Sequence, residues 1–242
     1  MPLNDFRFKQ FVVRQDRCAM KVGTDGVLLG AWVNPGNATR ILDIGTGTGL
    51  IALMMAQRSN AIIDAIDIDG AATHQAEENF KLTPWNNRMH AIHESLQQFS
   101  THTPHRYDLI VSNPPYFMGA HPAPSEARNI ARHMDETLSI EELAGCVKKL
   151  LTPSGKFCVI LPFMEGMKFI DCAGLQGLYA NNLTKVKTKI EKQEKRLMME
   201  FELVKKTLQE YELVIQEEDM AYTQQYIDLT SDFYMGLSKA RN

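Results

Sequence analysis

Residues 113 to 116 read Asn113-Pro114-Pro115-Tyr116 and follow Tyr107-Asp108-Leu109-Ile110-Val111-Ser112. An apolar strand therefore delivers an amide, a rigid turn and an aromatic ring to its carboxyl end. The chemistry that calls for such a set is methyl transfer to a planar amine. The nitrogen of an exocyclic amine or a carboxamide has its lone pair delocalised into a π-system, so it is a poor nucleophile that a simple base does little to help. The Asn113 side-chain oxygen and the Pro114 backbone carbonyl can each accept one of its two hydrogens. Held by both, the nitrogen is drawn towards tetrahedral geometry and its lone pair can aim at an electrophile. Tyr116 offers a face on which a ring can stack. The prolines fix φ and bias the residues before them towards extended geometry, so the acceptors are pre-aimed. A tetrapeptide this short is also an ordinary proline turn after a strand, and its context decides between the two.

A second cluster lies upstream. Asp43-Ile44-Gly45-Thr46-Gly47-Thr48-Gly49 stands where a β-rich run gives way to a helical pattern, and glycines at such a junction let the backbone pass close to a ligand. The spacing is GxGxG and not the GxGxxG of dinucleotide-binding turns, which argues against an oxidoreductase using a dinucleotide. Asp67 ends the next β-rich run about 20 residues on, where a carboxylate can take both hydroxyls of a ribose. Ile68 beside it would pack on a base. Asp69 is the rival carboxylate, and a solvated turn is the plain alternative for either.

The GxGxG loop with Asp43 ahead of it resembles motif I of class I S-adenosylmethionine-dependent methyltransferases. In that family an acidic residue near the adenine amine commonly follows the third strand. Here the run is Ile92-His93-Glu94-Ser95-Leu96, so Ser95 takes the acidic slot and Glu94 precedes it, which leaves the two as alternatives. A wider resemblance is to the bacterial tRNA(Val) adenine-N6 methyltransferase family. It rests on Phe8-Lys9-Gln10-Phe11, on Met20-Lys21-Val22-Gly23-Thr24-Asp25-Gly26-Val27-Leu28-Leu29-Gly30-Ala31-Trp32, on Asn113 to Phe117, on Ala127-Arg128-Asn129-Ile130-Ala131-Arg132-His133, and on Tyr222 to Tyr226 and Asp232 to Tyr234. That family modifies the adenosine just 3′ of the anticodon, position 37, in a valine tRNA.

The resemblance implies S-adenosylmethionine as cofactor, held by Lys21, Thr24, Asp25, Asp43, Gly45, Thr46, Gly47, Gly49, Asp67, Ile68, Ser95 and Leu96. It places Asn113, Pro114, Pro115 and Tyr116 at the reacting amine. Lys21, Thr24 and Asp25 would face the cofactor's methionine end, although Thr24 or Asp25 could instead simply cap the helix that follows. Arg128, Arg132 and His133 would touch the tRNA backbone or sit on a solvated face. Among enzymes the competing substrates are other planar amines: a release-factor glutamine, a guanine N2 in ribosomal RNA, or adenine in DNA. A non-catalytic RNA-binding module is the reading from a different class.

The elements that must position these residues follow from periodicity. From residue 40 the chain alternates β-rich runs with helical patterns, as in an α/β fold with a parallel sheet covered on both faces. Expected strands are 40–44, 62–67, 90–93, 107–112 and 156–161, with helices over 49–58, 70–82 and 139–151 and a turn at Pro153-Ser154-Gly155. Alternation in 183–190 and 197–204 predicts a hairpin, with 211–215 as a further strand. The resulting expectation is a Rossmann-like, mostly parallel seven-stranded sheet with a C-terminal antiparallel hairpin. Residues 1–39 form a small N-terminal lobe over the cofactor site, and 40–242 form the methyltransferase domain.

Composition sets the remaining bounds. The 242 residues are 44% hydrophobic and 23% charged, a globular balance, and no apolar run approaches the ~18 residues a membrane span needs. The amino terminus lacks a basic stretch leading into an apolar one, so a cytoplasmic location is expected. Cys18, Cys146, Cys158 and Cys172 are widely spaced and the seven histidines form no ligand array, so no metal is expected. A net charge of −3 argues against general coating of nucleic acid. A local grip is expected instead, with Lys185, Lys187 and Lys189 on one strand face reaching tRNA phosphates. A monomer is favoured.

Overall fold

The computed structural model describes residues 5–18, 20–114 and 138–237. Pro115, Tyr116 and the 127–133 run lie outside the described residues. Strand β3 (Arg40–Ile44), helix α2 (Leu50–Arg58), β4 (Ile62–Asp67), α3 (Gly70–Lys81), β5 (Met89–His93) and β6 (Tyr107–Ser112) follow the hydrophobic pattern, and a short helix α4 (Leu96–His102), not expected from it, stands between β5 and β6. Helix α5 (Ile140–Leu150), β7 (Leu151–Pro162), α6 (Phe163–Leu175), β8 (Tyr179–Lys187), β9 (Arg196–Glu202) and β10 (Gln209–Val214) complete the sheet. Successive strand residues serve opposite faces. Ile41, Leu109 and Val111 join a core cluster with α2, whereas Leu42, Ile110 and Phe157 join a second cluster with α5 and α6. Burial on both faces explains why these strands read as nearly unbroken apolar runs.

The sheet order is β10-β8-β9-β7-β6-β3-β4-β5. That is eight strands among the described residues, and not seven, because the further strand expected over 211–215 is β10, which docks parallel to the outer side of β8. Only β9 runs against the rest: it pairs antiparallel with both β7 and β8, so the expected hairpin is present and closes a mostly parallel sheet. Order reverses between β3 and β6, whose neighbouring carboxyl ends form the switch point at which ligands bind in such sheets.

Pro153-Ser154-Gly155 does not end a segment. It lies inside β7, where the pairing with β6 jumps from Tyr107↔Leu151 to Leu109↔Lys156. A bulge absorbs the extra residues. Gly155 is required there because an added Cβ would stand 2.7 Å from the Tyr107 carbonyl oxygen.

The amino-terminal segment pairs β1 (Phe6–Arg7) with β2 (Val12–Val13) and then forms α1 (Thr24–Trp32). Phe8, Phe11 and Val13 are buried in the same cluster as α1 and α2. Phe8 bridges to Tyr234, and the backbone N–H of Lys9 donates to the Phe233 carbonyl, so the segment after β1 meets the residues that follow α7 (Gln224–Thr230). A Cβ at Gly30 would collide with Met54, and one at Gly26 would stand 3.1 Å from Leu50. These two glycines bring α1 down onto α2 and towards the switch point.

Candidate active site

The loop from β3 to α2 turns on glycines with φ of +68° at Gly45, +56° at Gly47 and +81° at Gly49, a region closed to most side chains. Backbone N–H groups of Gly45 and Thr46 donate to the Ile66 carbonyl at 2.9 and 3.0 Å, which binds the loop to the end of β4. A Cβ at Gly45 or Gly47 would meet nothing within 4 Å, because both face open space, whereas one at Gly49 would strike the Phe80 ring at 2.5 Å. The first two glycines thus clear room for a ligand and the third clears room for α3.

Asp43 lies behind this loop and is 1% exposed. Its Oδ2 accepts from Thr46 Oγ1 at 2.7 Å and from the Ala52 N–H at 3.2 Å. Oδ1 is buried with no hydrogen-bond partner among the described residues. Burial pushes its carboxyl up to about 7. Asp67 stands at the front: Oδ2 accepts from the Gly47 N–H at 2.8 Å and Oδ1 from the Asp69 N–H at 2.9 Å. Burial raises its pKa as well. Each of its oxygens keeps a lone pair for a hydroxyl donor. Asp69 accepts from the Ala71 N–H and caps α3, which distinguishes it from Asp67 although both border the same space.

Two cavities open on the switch point. The first, about 280 Å³, is walled by Gly45, Gly47, Asp67, Ile68, Ser95 and Leu96 together with Glu94, Ser112, Asn113 and Pro114. Ser95 caps α4 by accepting from the Gln98 N–H, and Glu94 contacts His102 at 2.5 Å. The second, about 360 Å³, is walled by Lys21, Thr24, Asp25, Gly26, Thr46 and Thr48 and again by Gly45, Gly47 and Asn113. Asn113 stands where the two join. Lys21 Nζ donates to the Gln15 carbonyl. Neither Thr24 nor Asp25 caps α1: Gly23 occupies that position, and Asp25 instead binds Arg196 Nε at 2.7 Å.

Every proposed cofactor residue except Asp43 and Gly49 therefore borders one of the two cavities. Cys18, Met20 and Leu138 also line the first cavity and were not singled out. Met20 lies in a segment noted for its resemblance, but a lone methionine or cysteine carries no spacing signal. Gly26, whose Cβ would stand 3.9 Å from Asn113 Nδ2, could have been found from the small residues at 26 and 30, four apart on one helix face.

The lysine face is not the free cationic strip that its sequence suggests. Lys185 pairs with Glu210 at 2.6 Å and Lys187 with Glu212 at 2.7 Å, while Lys189 Nζ donates to the Glu218 carbonyl. Addition of β10 beside β8 brings these acids alongside the lysines. Among the described residues no group of three or more His, Cys, Asp or Glu could hold a metal, and no helix is long and apolar enough to cross a membrane.

A family model for the methyltransferase small domain matches residues 21–145. Over 231 residues the chain is 46% identical to a tRNA1(Val) (adenine(37)-N6)-methyltransferase of Bacteroides fragilis, covering 95% of this chain and 97% of that protein. The chain belongs to the tRNA1(Val) (adenine(37)-N6)-methyltransferase family. Relatives of the same name from Trichodesmium erythraeum (46% over 235 residues; 96% and 98% covered) and Yersinia pestis (44% over 232 residues; 95% and 93%) agree. This methyltransferase shares its fold with a predicted O-methyltransferase from Agrobacterium tumefaciens (TM-score 0.70, 16% identity, 86% and 96% covered). It also resembles a Thermus thermophilus 16S rRNA N2 G1207 methyltransferase in complex with AdoMet and guanosine (TM-score 0.56, 17% identity, 82% and 50% covered).

Proposed function

We propose that this enzyme transfers a methyl group from S-adenosylmethionine to N6 of adenosine 37 in tRNA1(Val). The observation that carries the reading is the position of Asn113, at the junction of the two cavities and directly after a buried strand. Relatives at 44–46% identity over at least 93% of both chains bear that activity in their names.

The residues present suit the cofactor. Open space over Gly45 and Gly47 admits a ligand against the backbone, and the lone pairs of Asp67 suit two ribose hydroxyls. Ile68, nearly half exposed, offers an apolar face for adenine, with Ser95, Leu96 and Glu94 around its edge. The polar groups of Thr24 and Asp25 suit the ammonium at the methionine end and Lys21 its carboxylate, while Asp43 braces the loop from behind through Thr46 and the Ala52 N–H. Bound there, S-adenosylmethionine supplies a methyl group made electrophilic by its sulfonium.

Asn113 Oδ1 and the Pro114 carbonyl accept the two N6 hydrogens and aim the nitrogen lone pair along the line of transfer. The sequence assigns the stacking of an adenine splayed from its loop to Tyr116, which with Pro115 lies outside the described residues. The excess proton leaves after transfer, and bulk water is a sufficient acceptor. Of the amino-terminal segment, Met20 to Gly26 border the methionine end, and a tRNA substrate suits a cytoplasmic enzyme. The reading is tested by incubating the chain with labelled cofactor and RNA that lacks the modification, then analysing nucleosides. Label in N6-methyladenosine supports it; label in protein, in guanine or in DNA overturns it.

A further inference from the structure

A third cavity, about 300 Å³, lies beside the proposed active site, between the first turn of α1, the β8–β9 hairpin and the segment entering α7. Thr24 and Asp25 border both this groove and the cavity assigned to the methionine end, so the two adjoin at the start of α1. Its floor holds a prepared aromatic platform. The Tyr222 ring stacks on Tyr226 with centroids 4.6 Å apart and planes 25° from parallel. Tyr226 is buried and its hydroxyl is hydrogen-bonded to that of Tyr234, so the lower ring cannot turn away. Tyr222 is 46% exposed, yet its backbone is bridged to Gln216, and Thr223 donates its N–H to the Ile215 carbonyl at 3.0 Å. One ring face is thus covered and held while the remainder opens into the groove.

The opposite side is cationic. Lys195 and Arg196 line it, and the Asp25 contact holds Arg196 in place. Lys195 has no carboxylate partner among the described residues, unlike Lys185 and Lys187. Backbone hydrogen bonds run from Lys195 to Val186, from Gln216 to Thr188, and across the bridge to Tyr222, so the Lys195 and Tyr222 backbones are three chain spacings of about 4.8 Å apart across the sheet, with both side chains bordering the groove between. The turn of Glu217, Glu218 and Asp219 joins Gln216 to Tyr222, and its Glu218 carbonyl accepts from Lys189 Nζ at 2.9 Å. An aromatic face flanked on one side by positive charge fits a base with its phosphate directed towards Lys195.

We propose that this groove binds an unpaired nucleotide of the RNA substrate neighbouring the one that reacts, with its base on Tyr222 and its phosphate at Lys195. The inference rests on the RNA-methylating reading and assigns the part of the substrate that grips the enzyme outside the catalytic pocket. It also gives the β8–β9 hairpin and α7, which add nothing to the cofactor cavities, a role in substrate choice.

The test uses the full chain, an anticodon stem-loop RNA and three variants: Tyr222→Ala, Tyr222→Phe and Lys195→Gln. Tyr222→Ala is expected to weaken RNA binding and raise KM for RNA about tenfold or more, because a stacked base is lost. Its kcat at saturating RNA and its cofactor affinity stay unchanged. Tyr222→Phe keeps the ring and binds as the wild type does. Lys195→Gln is expected to lower the slope of log K against log salt by about 0.7, the value for one phosphate on a single strand, and supplies the readout should Tyr222→Ala fold poorly. Wild-type RNA affinity in both Tyr222→Ala and Lys195→Gln overturns the groove while leaving the methylation reading intact. RNA binding that depends on Tyr222 without any methylation supports the groove and overturns the reading. A wild-type chain that neither binds nor methylates the RNA overturns both.

Discussion

The backbone N–H of Gly47 donates to Asp67 Oδ2 at 2.8 Å, so the glycine loop after β3 and the carboxylate after β4 hold each other in place. Asp67 therefore has two duties, bracing the loop and presenting lone pairs to a ribose. Replacing Asp67 with Ala removes charged acceptors and is expected to weaken S-adenosylmethionine binding about 10- to 100-fold, since hydrogen bonds to a charged group contribute about 1.5–3 kcal/mol. Isothermal titration reads this directly. Unchanged affinity would mean that the ribose lies elsewhere.

Asp43 predicts a pH dependence. Its carboxyl is pushed by burial up to about 7, from an ordinary value near 3.8. The folded chain therefore holds this proton more tightly than the unfolded chain does. The stabilisation is complete below about pH 4 and is lost as pH rises to about 7, on the order of a few kcal/mol across that window. Asp43→Asn keeps an acceptor for Thr46 and Ala52 but does not titrate. Denaturant unfolding at several pH values should show the wild type losing ground to Asp43→Asn between pH 4 and pH 7, and parallel profiles would contradict the assignment.

The glycines held in the left-handed region are not equivalent. Gly49 combines φ of +81° with a Cβ path blocked by Phe80 at 2.5 Å, whereas Gly36 has φ of +49° and open space around it. Gly36→Ala should cost about 1–2 kcal/mol from the left-handed backbone alone. Gly49→Ala adds overpacking of about 1–3 kcal/mol and should unfold at clearly lower denaturant. Equal midpoints would show that Phe80 moves aside freely.

Charge on the outer face of the hairpin is already compensated. The Glu210 and Glu212 partners keep the Lys185 and Lys187 pKa values above the usual lysine range. Joint replacement of Lys185 and Lys187 by Gln is expected to leave the salt dependence of RNA binding unchanged, because these cations displace few counterions. A fall in slope of about 0.7 per lysine would restore them as phosphate contacts.

Local pattern made much of this fold legible. Apolar runs at β3, β4 and β6, glycine spacing at 45, 47 and 49, and the turn after Ser112 are signals carried by neighbouring residues, and they placed the strands and the walls of both cavities. What stayed hidden depends on partners distant in the chain. β7 continues through Pro153-Ser154-Gly155 because β6 tolerates a bulge there, and no local signal reports that tolerance. The pairing of Lys185 with Glu210 requires β10 to lie beside β8 in one register, and that of Asp25 with Arg196 joins residues 171 apart in sequence. Thr24 and Asp25 have the composition of a helix cap, yet Gly23 takes that position while Asp25 is drawn to the hairpin.

The central claim is that Asn113 holds the reacting amine, and the most direct measurement is single-turnover methyl transfer to unmodified tRNA1(Val) by wild type and Asn113→Ala, with cofactor affinity measured alongside. Loss of one acceptor should slow transfer about 100-fold or more while S-adenosylmethionine binds with near wild-type affinity. Near-normal transfer by Asn113→Ala would contradict the account.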